Sequence, residues 1–113
     1  MSKNKLSILW TNADPLTAEH MVMMYATNAM LKKWWDEVTV IIWGATSKLV
    51  AEDEKIQGLI RTARQAGVQF SACVACANAL GTFEAIADMG IELKSWGQPL
   101  TELIKADEKL ITV

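Results

Sequence analysis

Short apolar runs alternate along the chain with longer segments whose apolar residues recur at helical spacing. The second run is rich in β-branched residues and almost continuously apolar, which is typical of a buried strand in a parallel sheet. We predict five strands, over residues 6–10, 37–43, 68–72, 91–96 and 110–113. The fourth alternates apolar and polar residues, which indicates an edge or half-exposed strand.

The segments between the strands carry helix signals. The predicted N-caps are, in chain order, Asp14, Ser47, Asp53 and Thr82. The first helix is predicted over residues 15–34, and Gly81 is predicted to interrupt a later one. Connections that each contain a helix favour parallel pairing with right-handed crossovers. The predicted fold is therefore α/β, a three-layer α/β/α sandwich with a five-stranded, mainly parallel sheet in one domain.

Composition and charge narrow the possible partners. The chain has 113 residues, is 51% hydrophobic and carries a formal net charge of −2 without a long basic run. We therefore expect neither nucleic acid nor a membrane as a partner. No apolar run approaches the roughly 20 residues that span a bilayer. Residues 1–5 lack the apolar core of a signal peptide, so we expect a cytoplasmic protein whose thiols are free or redox-active.

The two cysteines lie together at a predicted strand-to-helix junction. Cys73 follows the third strand and Cys76 is placed in the first turn of the next helix. Unpaired N–H groups at a helix start favour a thiolate, which is the reactive form of cysteine. Ligands of open α/β sheets also bind beyond the carboxyl ends of the strands. Chemistry, if the protein performs any, is expected at this junction.

Three of the five tryptophans end predicted strands at the same edge as the cysteines. Together they predict an apolar pocket around a thiol, although tryptophans at such positions also pack beneath loops. The positions predicted to line the pocket are Trp10, Asn12, Asp14, Trp43, Gly44 and Trp96. Helix capping is the commoner role for a residue placed like Asp14.

The cysteine pair allows several interpretations. A zinc site lacks partners because His20 is the single histidine and there is no second cysteine pair, so no metal is expected. The spacing suits a dithiol redox pair, and it also suits one nucleophilic thiol that carries sulfur as a persulfide. Both residues could instead be small members of the core. No phosphate-loop or dinucleotide fingerprint is present, and no cofactor is expected.

The segment 72–81, which reads ACVACANALG, resembles the DsrE/DsrF-like family with its YchN-type members. Weaker similarities follow the same order at 42–44 with 48–53, at 66–68 and at 97–102. The resemblance implies a single DsrE-like domain over residues 1–113 with the sandwich fold predicted above. It also implies an oligomer that takes part in sulfur relay. The sulfur-carrying cysteine of such proteins corresponds to Cys73, and many YchN-like members also have a cysteine at the position of Cys76.

Our leading hypothesis is a cytoplasmic, sulfurtransferase-like carrier. Cys73 accepts sulfane sulfur from a donor protein for transfer to an acceptor protein, and Cys76 tunes it or resolves the persulfide. The alternatives are a non-catalytic oligomeric module that binds a small molecule or protein, and a dithiol redox protein.

The first predicted helix has more apolar surface than one sheet face needs, which indicates a homo-oligomer. Its apolar residues are Met21, Val22, Met23, Met24, Tyr25, Met30, Trp34 and Trp35. The resemblance places trimer or hexamer ahead of dimer.

Overall fold

Five strands form one parallel sheet in residues 4–113, the part of the chain that the structure, a computed structural model, describes. The strands are β1 (Lys5–Trp10), β2 (Glu37–Ile42), β3 (Gln69–Cys73), β4 (Glu92–Lys94) and β5 (Lys109–Thr112). Their spatial order is β4-β3-β2-β1-β5, and every neighbouring pair is parallel. The predicted α/β fold is confirmed, and β4 lies at an edge as its alternating sequence indicated.

The first helix runs without a break from Pro15 to Leu31. It consists of α1 (Pro15–Thr17), a π-helical segment (Ala18–Met23) and α2 (Met24–Leu31). Asp14 caps it as predicted, because its carboxylate accepts the Thr17 backbone N–H at 2.9 Å. The predicted end at residue 34 is wrong. Lys33 has a left-handed φ of 59°, and a residue in that conformation cannot continue a right-handed helix.

The remaining helices are α3 (Thr46–Glu52), α4 (Glu54–Gln65), α5 (Val74–Leu80), α6 (Phe83–Asp88) and α7 (Gly97–Lys105). Asp53 caps α4 by accepting the Ile56 N–H at 3.0 Å, as predicted. Ser47 is not a cap, because it lies inside α3 and its buried hydroxyl bonds to Thr82 Oγ1 at 2.7 Å. That bond also occupies the hydroxyl of Thr82, which stands at the N-cap position of α6 without capping it through its side chain.

The two faces of the sheet are covered unequally. From β1 to β4 the chain moves one strand at a time in the same direction, so right-handed crossovers place α1 to α6 on one face, the helix-rich face. The return from β4 to β5 crosses the sheet in the opposite direction and places α7 on the other face, the α7 face. The three-layer sandwich is therefore confirmed, and in residues 4–113 its second helical layer consists of α7.

Most of the core lies on the helix-rich face. Alternate strand residues point there and meet apolar residues of the first helix and of α4. The strand residues of this core are Leu6, Ile8, Trp10, Val38, Val40, Ile42, Phe70 and Ala72. The intervening residues point to the α7 face, and Ile41, Ser71 and Cys73 are buried there. Within residues 4–113, every helix is too short or too polar to span a bilayer.

Candidate thiol site

Cys73 is the last residue of β3 and the residue from which α5 begins. It pairs in register with Lys94 on the edge strand β4. Because side chains alternate along a strand, Cys73 shares the α7 face with Ser71. Only 5% of Cys73 is exposed to solvent. The strand therefore holds this thiol beneath the surface at the carboxyl edge of the sheet.

Cys76 lies in the first turn of α5, as predicted, and is partly exposed. The backbone N–H of Gly44 points at its sulfur, with an N–S distance of 3.3 Å. Gly44 follows the end of β2, the strand next to β3, and has a left-handed φ of 70° that favours glycine. The loops after two adjacent parallel strands therefore meet at Cys76. Both cysteines are free thiols.

Opposing effects act on the pKa of Cys76. Burial is the largest and raises the pKa, whereas the Gly44 N–H lowers it. The neighbouring Cys73 thiol raises it, and the N–H of Cys76 itself lowers it. The resulting pKa is above the ordinary value. The expectation that the helix start favours a thiolate is therefore wrong for Cys76, because loss of hydration outweighs the N–H groups.

The three tryptophans of the predicted pocket do not come together. Trp10 is fully buried in the core of the helix-rich face, and its Nε1–H donates to the Asn12 carbonyl at 3.0 Å. Trp96 lies on the α7 face, where its Nε1–H donates to Ser71 Oγ at 2.8 Å. Trp43 is half-buried just beyond β2. The sheet separates Trp10 from Trp96, so a pocket rimmed by all three is not formed.

Asn12 and Asp14 shape the turn after β1. Asn12 Oδ1 accepts the Asp14 backbone N–H at 2.9 Å, and Asp14 Oδ2 accepts the hydroxyl of Thr17 at 2.9 Å. These bonds are local, and both residues are exposed. Of the six predicted pocket residues, Gly44 is the one with a hydrogen bond to a cysteine.

A groove on the α7 face escaped the sequence analysis. It has a volume of about 440 Å³ and is lined by Ser7, Thr39, Lys94, Trp96, Pro99 and Leu103, among others. The Lys94 ammonium stands 4.5 Å from the centroid of the Trp96 ring. The Ser71 hydroxyl donates to Glu92 at 2.7 Å and holds the neighbouring edge strand. The alternation of apolar and polar residues over 91–96 could have indicated this groove, since it places Glu92 and Lys94 on the same side of β4.

Residues 4–113 contain no group of three or more His, Cys, Asp or Glu side chains arranged to hold a metal ion. His20 is exposed, with its Nε2 3.7 Å from Glu19 Oε1.

Fold and site together define a parallel α/β protein with a thiol pair at the carboxyl edge of its sheet. No protein-family model matches the chain, and neither does any curated protein. Among solved structures it is similar to BT1422, a conserved protein of unknown function from Bacteroides thetaiotaomicron, with 38% sequence identity and a TM-score of 0.95. The similarity covers 97% of this chain and 95% of the other. The chain belongs to the same family as that Bacteroides protein.

Proposed function

We propose that this protein is a sulfur-relay protein that carries sulfane sulfur as a cysteine persulfide, in line with its resemblance to the DsrE/DsrF-like family. The observation that supports the proposal is the thiol pair itself. Cys73 and Cys76 lie together at the carboxyl edge of β3, and a backbone N–H points at the more exposed sulfur. Such a donor stabilises negative charge on sulfur, which both the attacking thiolate and the persulfide product carry.

The loading step is an exchange between two sulfur compounds. A cysteine thiolate of the protein attacks the terminal sulfur of a donor persulfide, and the S–S bond of the donor breaks. The donor leaves as a thiol after taking up the proton that the cysteine lost. An acceptor thiolate removes the sulfur by the same reaction in reverse. We propose donor and acceptor proteins in the cytoplasm as the partners.

The test is to incubate the reduced protein with glutathione persulfide and to measure its intact mass. We expect a product heavier by one sulfur atom, which dithiothreitol removes. The matched control is the Cys73→Ser/Cys76→Ser double variant, which should keep its mass. A wild-type protein that gains no sulfur on either cysteine, and that releases none as hydrosulfide, would end the relay proposal.

A dithiol redox role is the second candidate, and the closeness of the two free thiols favours it. One thiolate would attack glutathione disulfide to give a mixed disulfide. The other cysteine would then displace glutathione and close a Cys73–Cys76 bond, so that two thiols are oxidised and one disulfide is reduced. Thiol trapping across a glutathione redox series tests this role. A pair that stays reduced in the most oxidising buffer would exclude it.

The binding-module alternative loses the pocket on which it relied, because Trp10 and Trp96 lie on opposite faces of the sheet.

Self-assembly is proposed through an outer patch formed by Met21, Met24 and Tyr25 of the first helix and by Trp34, which follows the end of that helix. Met24 is 48% exposed and Trp34 is 50% exposed. Grooves of about 240 and 310 Å³ adjoin at Met24 and Asn28. The patch is smaller than predicted, because Val22 and Met23 are buried in the core.

A second copy of this chain is the proposed occupant of the outer patch. At the rim of the patch Lys55 pairs with Glu19 at 3.0 Å, so the charge of this carboxylate is balanced where a second copy would approach. The family resemblance favours a trimer or hexamer over a dimer. Light scattering at micromolar concentration tests this, and Trp34→Glu should lower the measured mass. A monomeric wild type would refute it.

A further inference from the structure

We propose that Cys76, rather than Cys73, is the thiol that first takes sulfur from the donor, and that Cys73 limits the lifetime of the persulfide. This inference rests on the sulfur-relay function proposed above. It differs from the family resemblance, which implies that Cys73 carries the sulfur.

Accessibility separates the two thiols. Cys73 is only 5% exposed, because it ends a strand whose side chain at that position points into the α7 face. A donor persulfide must approach the attacking sulfur directly, which requires space in front of that sulfur. Cys76 is partly exposed on the first turn of α5, where Ala75 and Asn78 are exposed as well. This part of α5 therefore lies at the surface, whereas Cys73 lies beneath it.

Gly44 gives Cys76 a fixed hydrogen-bond donor. The Gly44 nitrogen lies 3.3 Å from the Cys76 sulfur. The hydrogen bond between them becomes stronger as negative charge develops on the sulfur. The loop that presents it is held at both sides, since the Gly44 carbonyl accepts the Ser47 N–H at 3.0 Å and the Trp43 N–H donates to the Trp10 carbonyl at 3.2 Å. The donor is therefore in place before the reaction begins. This geometry suits Cys76 to the first attack.

Cys73 is suited to the second attack because it stands beside Cys76 and is shielded from large reactants. After loading, the Cys73 thiolate attacks the Cys76 sulfur, and the terminal sulfur leaves as hydrosulfide. The two cysteines are oxidised to a disulfide while the sulfane sulfur is reduced. Two molecules of glutathione then reduce the disulfide and are themselves oxidised to glutathione disulfide. The carried sulfur is thus released when no acceptor protein removes it.

The experiment loads wild type, Cys73→Ala and Cys76→Ala with glutathione persulfide and locates the sulfur by peptide mapping after alkylation. We expect Cys73→Ala to hold a persulfide on Cys76 that outlasts the wild-type one and to release no hydrosulfide. Loading of Cys76→Ala should be slower by about tenfold or more, since only the shielded thiol remains. Wild-type protein loaded on Cys73 would overturn the assignment while leaving the relay function standing. A wild type that neither gains sulfur nor releases hydrosulfide would overturn both.

A second experiment uses only the wild-type protein, so its result does not depend on whether the cysteine variants fold. With limiting iodoacetamide at pH 8, peptide mapping should show Cys76 modified about tenfold faster than Cys73. Equal rates, or a faster Cys73, would overturn the order of attack.

Discussion

A hydrogen bond between two buried hydroxyls joins the segments that form the thiol site. Ser47 is 0% exposed and Thr82 4% exposed, and their oxygens are 2.7 Å apart. Ser47 lies in α3, which follows the Gly44 loop, and Thr82 precedes α6, which follows α5 with Cys76. The hydrogen bond therefore joins the two chain segments that meet at the sulfur.

Removing one hydroxyl leaves the other buried without its partner. The expected cost of Ser47→Ala or of Thr82→Val is about 1–3 kcal/mol in the free energy of unfolding. Valine has nearly the shape of threonine, so little of the cost of Thr82→Val comes from a cavity. The double variant removes both polar groups and should lose less stability than the two single variants added together.

Urea unfolding of the four proteins closes the double-mutant cycle. For a domain of this size, each kcal/mol also lowers Tm by about 4 °C. Alkylation of Cys76 in the single variants should slow, because the Gly44 N–H is less well placed. Thr101→Val is the matched control, since its exposed hydroxyl bonds to the Gly97 carbonyl at 2.8 Å and its loss should matter little. Strictly additive losses would refute the coupling between the two hydroxyls.

Three further predictions concern the site and the scaffold. Gly44→Val should slow alkylation of Cys76 and cost about 1–2 kcal/mol, because a β-branched residue is strained at a φ of 70° even though a Cβ there meets no atom within 4 Å. Alkylation of Cys76 should rise with pH beyond the usual thiol range, because burial raises its pKa. Gly58→Ala should stabilise the protein by about 1 kcal/mol, because it lies within α4 and its Cβ would meet only Arg61 at 3.7 Å.

Each of these predictions has its own control. Gly44→Asn should be milder than Gly44→Val, since asparagine tolerates the left-handed region, and equal losses would contradict the strain argument. Because the pKa of Cys76 is higher in the folded protein than in the unfolded chain, the free energy of unfolding depends on pH. It is unaffected below the unfolded thiol pKa of about 8.5, and it falls as the pH rises from there through the folded pKa. Cys76→Ser should remove that alkaline loss. Chemical denaturation gives the free energy of unfolding of the Gly58→Ala variant. A value below that of the wild type would show that α4 needs glycine at this position.

Local signals in the sequence were sufficient for the elements and for most of their ends. Asp14 and Asp53 each offer a carboxylate three residues before a free N–H, and Gly81 adopts the left-handed backbone that separates α5 from α6. The capping prediction was wrong at Ser47, because its hydroxyl forms a hydrogen bond with Thr82, which is distant in sequence. A capping signal depends on a few neighbouring residues, and only the packed interior shows whether another group competes.

The predicted pocket failed for a different reason. Sequence placed Trp10 and Trp96 at one edge of the sheet, but the side-chain alternation of the strands and the turn into α7 put them on opposite faces. Strand ends locate the edge of the sheet at which a site lies. The face on which each side chain lies depends on the alternation along the strand and, for Trp96, on the path of the chain after β4 ends at Lys94.

The sequence by itself determined the parallel α/β order of elements and the position of Cys73 and Cys76 where a strand meets a helix. These features follow from periodicity and from spacing within a few residues. Only the tertiary structure decided that Cys73 is shielded and that the Gly44 N–H points at Cys76, 32 positions away in the chain. Burial and hydrogen bonding at the thiols depend on which strands are neighbours and on the direction of each crossover, and a local pattern of residues contains neither.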